Sequence, residues 1–126
     1  MLFRSSCAVG EAKRTPGYQL PCRHVFHTVG PVWINGKQRE AELLADCYRA
    51  CLSLAEEYGC QSIAIPIISA GTFGFPKDLA LQIAIREISA HLLAHDRVVY
   101  LVVYNREVFQ IGKRLFDSVQ EYIDDH

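Results

Sequence analysis

The chain's tightest constraint lies between Ser62 and Ala94, where it reads as a strand, a glycine-rich turn and a helix. Ser62 to Ile68 is apolar on both alternating faces, the pattern of a central parallel strand covered on both sides. Helical periodicity then runs from Lys77 to about Ala94, with Ala80, Ile83, Ala84, Ile88 and Leu92 on one stripe. Between them stands Ile68-Ser69-Ala70-Gly71-Thr72-Phe73-Gly74-Phe75-Pro76. Such a turn presents backbone N–H groups beside a helix N-terminus, where partial positive charge favours an anion. Gly71 and Gly74 can supply a positive φ or let a phosphate oxygen approach the backbone. Phe73, between them, can offer an aromatic face to a sugar or a base. The turn has no lysine, so it is not a Walker-type phosphate loop. By spacing alone, a plain strand-to-helix connection without ligand fits equally well.

The rest of the chain repeats the alternation. Arg23 to Val32 is β-rich and ends at Gly30-Pro31. From about Arg39 to Tyr58 apolar residues recur at helical spacing, and Gly59 supplies the stop. Val98 to Tyr104 is a further β-rich run, and a last helix is predicted over about Glu107 to Ile123. Residues Met1 to Pro21, punctuated by Gly10, Pro16, Gly17 and Pro21, leave space for at most one short strand, near Ala12 to Thr15 or Tyr18 to Leu20. The order β-α-β-α-β-α predicts an α/β fold, a three-layer α-β-α sandwich with a mainly parallel sheet, formed as a single domain over residues 1–126. Ligands in such sheets sit beyond the carboxyl ends of the strands. That rule points to Thr28 to Pro31, Ser69 to Pro76, and Tyr104-Asn105.

Charge and cysteines narrow the function classes. A formal net charge of −1 opposes broad electrostatic binding to nucleic acid or an anionic membrane, though not a small anion site built from amides. No apolar stretch approaches the about 20 residues of a membrane span. Met1 to Gly10 lacks the apolar core of a signal peptide, and a cytoplasmic location is expected. The five cysteines, Cys7, Cys22, Cys47, Cys51 and Cys60, include no CxxC. Cys47 and Cys51 fall on an apolar helical stripe, where cysteine acts as a small hydrophobe. Cys22, His24 and His27 lie close together in sequence, but no second ligand pair at zinc spacing completes a site. No metal and no cofactor is expected.

Four collinear stretches carry a family resemblance. They are Gly10-Glu11-Ala12-Lys13-Arg14-Thr15-Pro16-Gly17-Tyr18, His27-Thr28-Val29-Gly30-Pro31-Val32-Trp33, Cys47-Tyr48-Arg49 within a leucine-rich helix, and Ser62-Ile63-Ala64-Ile65-Pro66 running into Ile68 to Pro76. In that order and spacing the chain resembles the macrodomain, the ADP-ribose-binding module, from about Gly10 to Phe116. The resemblance implies that Ile68, Ser69, Ala70, Gly71, Thr72, Phe73 and Gly74 wrap the diphosphate and distal ribose, with Phe73 packed on that ribose. Ala70 stands where the family often has threonine. Tyr104 and Asn105 would lie near the adenosine end.

The resemblance also implies an absence. Family members usually begin with further strands and helices, which carry a second glycine-rich loop, a strand from the middle of the sheet and, in the hydrolytic branches, the asparagine and aspartate tied to catalysis. Nothing in Met1 to Val9 matches these, so the chain reads as N-terminally truncated. The first strand must then pair directly with Ser62 to Ile68 or leave a gap, and uncovered edges would invite pairing with another chain, including self-association. The leading expectation is binding of ADP-ribose or a related ADP-ribosyl metabolite. The alternatives are hydrolysis, removing ADP-ribose from proteins or acetate from O-acetyl-ADP-ribose, and a non-binding remnant that self-associates. The phosphate turn contains no Asp, Glu or His. His27 reads as a packing residue, Asp78 as a helix-start residue, and nothing near Cys22 suggests an activated thiol, so no catalytic set is assigned.

Overall fold

The computed structural model describes residues 7–17, 22–71 and 73–103. Its elements are β1 (Ala12–Pro16), β2 (His24–Thr28), α1 (Glu40–Glu57), β3 (Ser62–Pro66), α2 (Lys77–Ala94) and β4 (Val98–Val102). Two of the three expected helices are present. Thr72, Tyr104, Asn105 and the predicted helix from Glu107 to Ile123 lie outside the described residues.

Strands β3 and β4 pair in parallel, Ser62 opposite Val98 through Pro66 opposite Val102. Helix α2 joins them as the crossover that parallel neighbours require. The short N-terminal strand forms at the first of its two expected places. It pairs with β2 in antiparallel register, from Ala12 opposite Thr28 to Pro16 opposite His24. The expected parallel pairing is present in β3–β4, and β1–β2 adds an antiparallel pair. Among the described residues there are two separate two-stranded sheets, and β2 does not pair with β3.

β2 is shorter than its sequence run, since Gly30-Pro31 ends the ladder and Pro31 has no N–H to give it. Past Thr28, Val29 makes only an isolated bridge with Val9. β3 likewise stops at Pro66. Tyr48, buried in α1, takes over there: its hydroxyl donates to the Pro66 carbonyl (3.1 Å) and accepts from the Ile68 N–H (2.9 Å).

The core lies between the helices and one face of the strands. Leu44, Tyr48, Cys51 and Leu52 of α1 meet Ala80, Ile83, Ala84 and Ile88 of α2, with Ile65 and Phe75 between them. Ile63, Val99 and Leu101 pack against this cluster. The alternate residues Ser62, Ala64 and Pro66 of β3 are exposed, as are Val98 and Tyr100 of β4. The covering expected on both sides of β3 is thus present on one side among the described residues. Across the helix pair, the buried Glu87 of α2 receives a two-pronged contact from Arg49 of α1, at 2.7 and 3.2 Å.

The start of α1 is held by an unusual cap. Glu40 is 1% exposed, yet its carboxylate accepts from the N–H groups of Ile34, Asn35 and Gly36 at 2.9–3.0 Å, and from Gln38. Burial opposes its ionisation, but these four donors outweigh that cost and hold its pKa at about 2. The loop before the helix is thereby wound around one side chain.

Candidate functional site

The turn after β3 is tied at both ends. Tyr48 fixes its entry, as above, and the N–H of Phe75 donates back to the Ser69 carbonyl (3.1 Å). Inside this closure, the Gly74 N–H donates to Gly71 O (3.0 Å). Two residues take left-handed backbone: Gly74 at φ 71° and Ser69 at φ 65°. The sequence reading gave that capacity to Gly71 and Gly74. The structure gives it to Ser69 instead of Gly71, a serine held there by its neighbours rather than chosen for freedom. Among the described residues, the amides of Ala70 and Gly71, just before the N-terminus of α2, have no hydrogen-bond partner.

The two phenylalanines divide the work. Phe75 is buried and meets the Trp33 ring edge-on, with centroids 4.9 Å apart. Phe73 is 39% exposed.

A second segment, from the end of β2, buttresses the turn. The Trp33 N–H donates to the Phe73 carbonyl (3.0 Å). Gly30 lies so close that a Cβ there would stand 2.2 Å from Ser69 Oγ and 2.6 Å from Ile68 Cγ2. Two of the three strand ends singled out from topology, Thr28 to Pro31 and Ser69 to Pro76, therefore meet in space. The third, Tyr104-Asn105, lies outside the described residues. The Ser69 hydroxyl oxygen is buried and has no hydrogen-bond partner among the described residues.

Sequence reasoning quoted Tyr48 and Trp33 only as parts of longer stretches, without a role at the turn, and did not single out Glu40. Tyr48 stood only within the Cys47-Tyr48-Arg49 stretch. The signal that could have found it is a hydroxyl on a core-facing position, which must find a partner once buried.

The other candidates fall into structural places. Asp78 Oδ1 accepts from the Leu79 N–H at the start of α2 (2.9 Å). His27 Nε2 is 2.9 Å from Thr15 Oγ1 across the β1–β2 pair. His24 Nδ1 accepts from Arg14 Nε (3.0 Å), and its ring lies 5.0 Å from that of Tyr58. Cys22 is exposed, while Cys47 and Cys51 are buried, and burial pushes the Cys51 thiol up to about 12. No group of three or more metal-ligating side chains occurs among the described residues. No described helix is long and apolar enough to cross a membrane.

Comparison with known proteins agrees with this geometry. The family model of the Macro domain matches residues 2–84. A macro domain-containing protein of Methanosarcina mazei is 47% identical over 117 residues, covering 91% of this chain and 63% of its own length. An O-acetyl-ADP-ribose deacetylase of Salmonella gallinarum is 41% identical over 114 residues, covering 89% of this chain and 64% of its own length. Among solved structures, the Oceanobacillus iheyensis macrodomain with ADP superposes at a TM-score of 0.82 and 35% identity, over 91% of this chain and 61% of that one. The Trypanosoma brucei macrodomain in complex with ADP-ribose gives 0.75 and 34%, over 86% and 46%. The chain belongs to the macro domain family and has its α/β fold. It spans less than two thirds of the length of each of these relatives.

Proposed function

We propose that this chain binds ADP-ribose or a closely related ADP-ribosyl metabolite, with the turn from Ile68 to Gly74 as the diphosphate cradle and Phe73 against the distal ribose. The observation that carries the reading is the turn itself. Tied at Tyr48 and Phe75 and buttressed at Gly30 and Trp33, it holds the amides of Ala70 and Gly71, unpartnered among the described residues, beside a helix N-terminus. Such donors, fixed before the ligand arrives, suit a diphosphate and lose little freedom on binding. The relatives solved with ADP and ADP-ribose support the choice of nucleotide. Tyr104 and Asn105 remain the residues proposed for the adenosine end.

Calorimetric titration with ADP-ribose tests this. Gly71 suits the control, because a Cβ there meets nothing within 4 Å. Gly71→Glu should keep its thermal midpoint but place a carboxylate where the phosphates go, and binding should disappear. Wild-type protein that gives no heat, or a Gly71→Glu variant that binds as well, would reject the cradle.

A second reading, hydrolysis of ADP-ribosyl esters, is favoured by the identity to an O-acetyl-ADP-ribose deacetylase. Within the described part of the turn no acid or base stands ready to activate water. Acetate released from O-acetyl-ADP-ribose by the wild type and not by Gly71→Glu would support it, and binding without release would leave the binding reading alone.

A further inference from the structure

Glu40 reaches the turn after β3 through one ring. Its carboxylate gathers the loop before α1. Oε2 accepts from the N–H groups of Ile34 (2.9 Å), Asn35 (3.0 Å) and Gly36 (2.9 Å), and Oε1 from that of Gln38 (2.6 Å). The loop so wound keeps Gly36 at φ 80° and Arg39, just before the helix, at φ 62°. Arginine takes that backbone only where its surroundings impose it. Gly36 lies against the Trp33 ring: a Cβ there would stand 2.9 Å from Cη2 and 3.3 Å from Cζ2. Trp33 also meets the turn, and does so twice. Its N–H donates to the Phe73 carbonyl (3.0 Å), and its ring stands edge-on to Phe75 with centroids 4.9 Å apart.

We infer that Glu40 is a positioning residue for the nucleotide site, acting through Gly36 and Trp33 on the turn that presents Phe73. The inference rests on that turn being the diphosphate cradle. A side chain that only capped α1 would accept from amides of the helix's own first turn. Glu40 instead accepts from four amides that all precede the helix, and three of them directly follow Trp33. Its bonds therefore set the shape of the loop. Three successive amides fixed on one oxygen leave the Trp33 backbone little freedom, and Gly36, bare of a side chain, lets the ring settle against the loop. The Phe73 carbonyl is thus held from a segment outside its own turn, and that segment is held by one carboxylate. Glutamine at position 40 would keep the shape of the side chain. It would exchange one acceptor oxygen for an NH2 group facing backbone donors, so at least one end of the loop would be released.

The test compares Glu40→Gln with Ile88→Ala, a core truncation far along α2 from its start that lowers stability without touching the loop. Both are measured well below their thermal midpoints, where the molecules are folded. Calorimetry reads ADP-ribose affinity. Acrylamide quenching of Trp33, the single tryptophan, reads the linkage in the free protein. Glu40→Gln should bind ADP-ribose about tenfold more weakly, because part of the ordering of the turn then falls on the binding step. Its Trp33, half-buried in the wild type, should quench more readily. Ile88→Ala should match the wild type in both. Gly36→Ala keeps the carboxylate but drives a methyl into the Trp33 ring; it should also weaken binding, and it carries the test if Glu40→Gln does not fold. Wild-type affinity in Glu40→Gln, or an equal loss in Ile88→Ala, would overturn the role of Glu40. Weaker binding with unchanged quenching would overturn the route through Trp33. Wild-type protein that gives no heat would overturn the ADP-ribose reading, and this inference with it.

Discussion

Single atoms decide the shape of the turn after β3. The Tyr48 hydroxyl holds both the last carbonyl of β3 and the first amide of the turn. Tyr48→Phe should lower stability by about 1–3 kcal/mol, because it leaves two polar groups with lost partners in a buried place. Urea denaturation checks the stability, and ADP-ribose affinity should fall along with it. Gly30 makes the complementary test. Gly30→Ala forces its methyl into Ser69 and Ile68, so the turn must shift, at a cost of about 1–3 kcal/mol. Affinity for ADP-ribose should fall further in Gly30→Ala than in Gly71→Ala, whose methyl meets open space. The sequence marked Gly71 and Gly74 as the flexible points, since glycine advertises its freedom. It did not mark Ser69, whose left-handed φ is imposed by the turn's closure, nor Gly30, whose need is for space against a residue nearly 40 positions away.

At the scale of elements, the helices were legible and their anchors were not. Periodicity located α1 and α2 nearly to the residue because an apolar stripe repeats every turn. The loop before α1 carries no such period, and its order depends on one buried carboxylate. Glu40, with its pKa lowered to about 2, is ionised in the fold at pH values where the unfolded chain has begun to bind a proton. Its contribution is fully present above pH about 4.5 and is lost as pH falls towards about 2. Glu40→Gln should therefore lower the thermal midpoint at neutral pH. It should also make the midpoint less sensitive to acid between those values than the wild type, as a series of melts at stepped pH would show. If the two proteins lost stability in parallel on acidification, the carboxylate would not be what winds the loop.

At the scale of the whole molecule, two small sheets cohere through helices rather than through each other. A single apolar cluster reaches from Ala12 of β1 through α1 and α2 to Leu101 of β4, so unfolding should be one transition. Far-ultraviolet circular dichroism and the fluorescence of Trp33, the single tryptophan, should give coincident urea curves. Leu44→Ala, at a fully buried position of α1, should move both curves together by about 2–5 kcal/mol. Curves that separate would mean that the β1–β2 pair melts apart from the rest. By itself the sequence determined the α/β alternation, helices α1 and α2 and the parallel β3–β4 crossover, because each is written in local periodicity. Tertiary structure alone decided that Gly30 and Trp33 come to buttress the turn after β3, that Tyr48 and Glu40 hold neighbouring backbone with fixed hydrogen bonds, and that β2 and β3 do not pair among the described residues. Those outcomes depend on which residues meet across the fold, and a buried polar group or a strand edge reveals its partner only when the chain has closed around it.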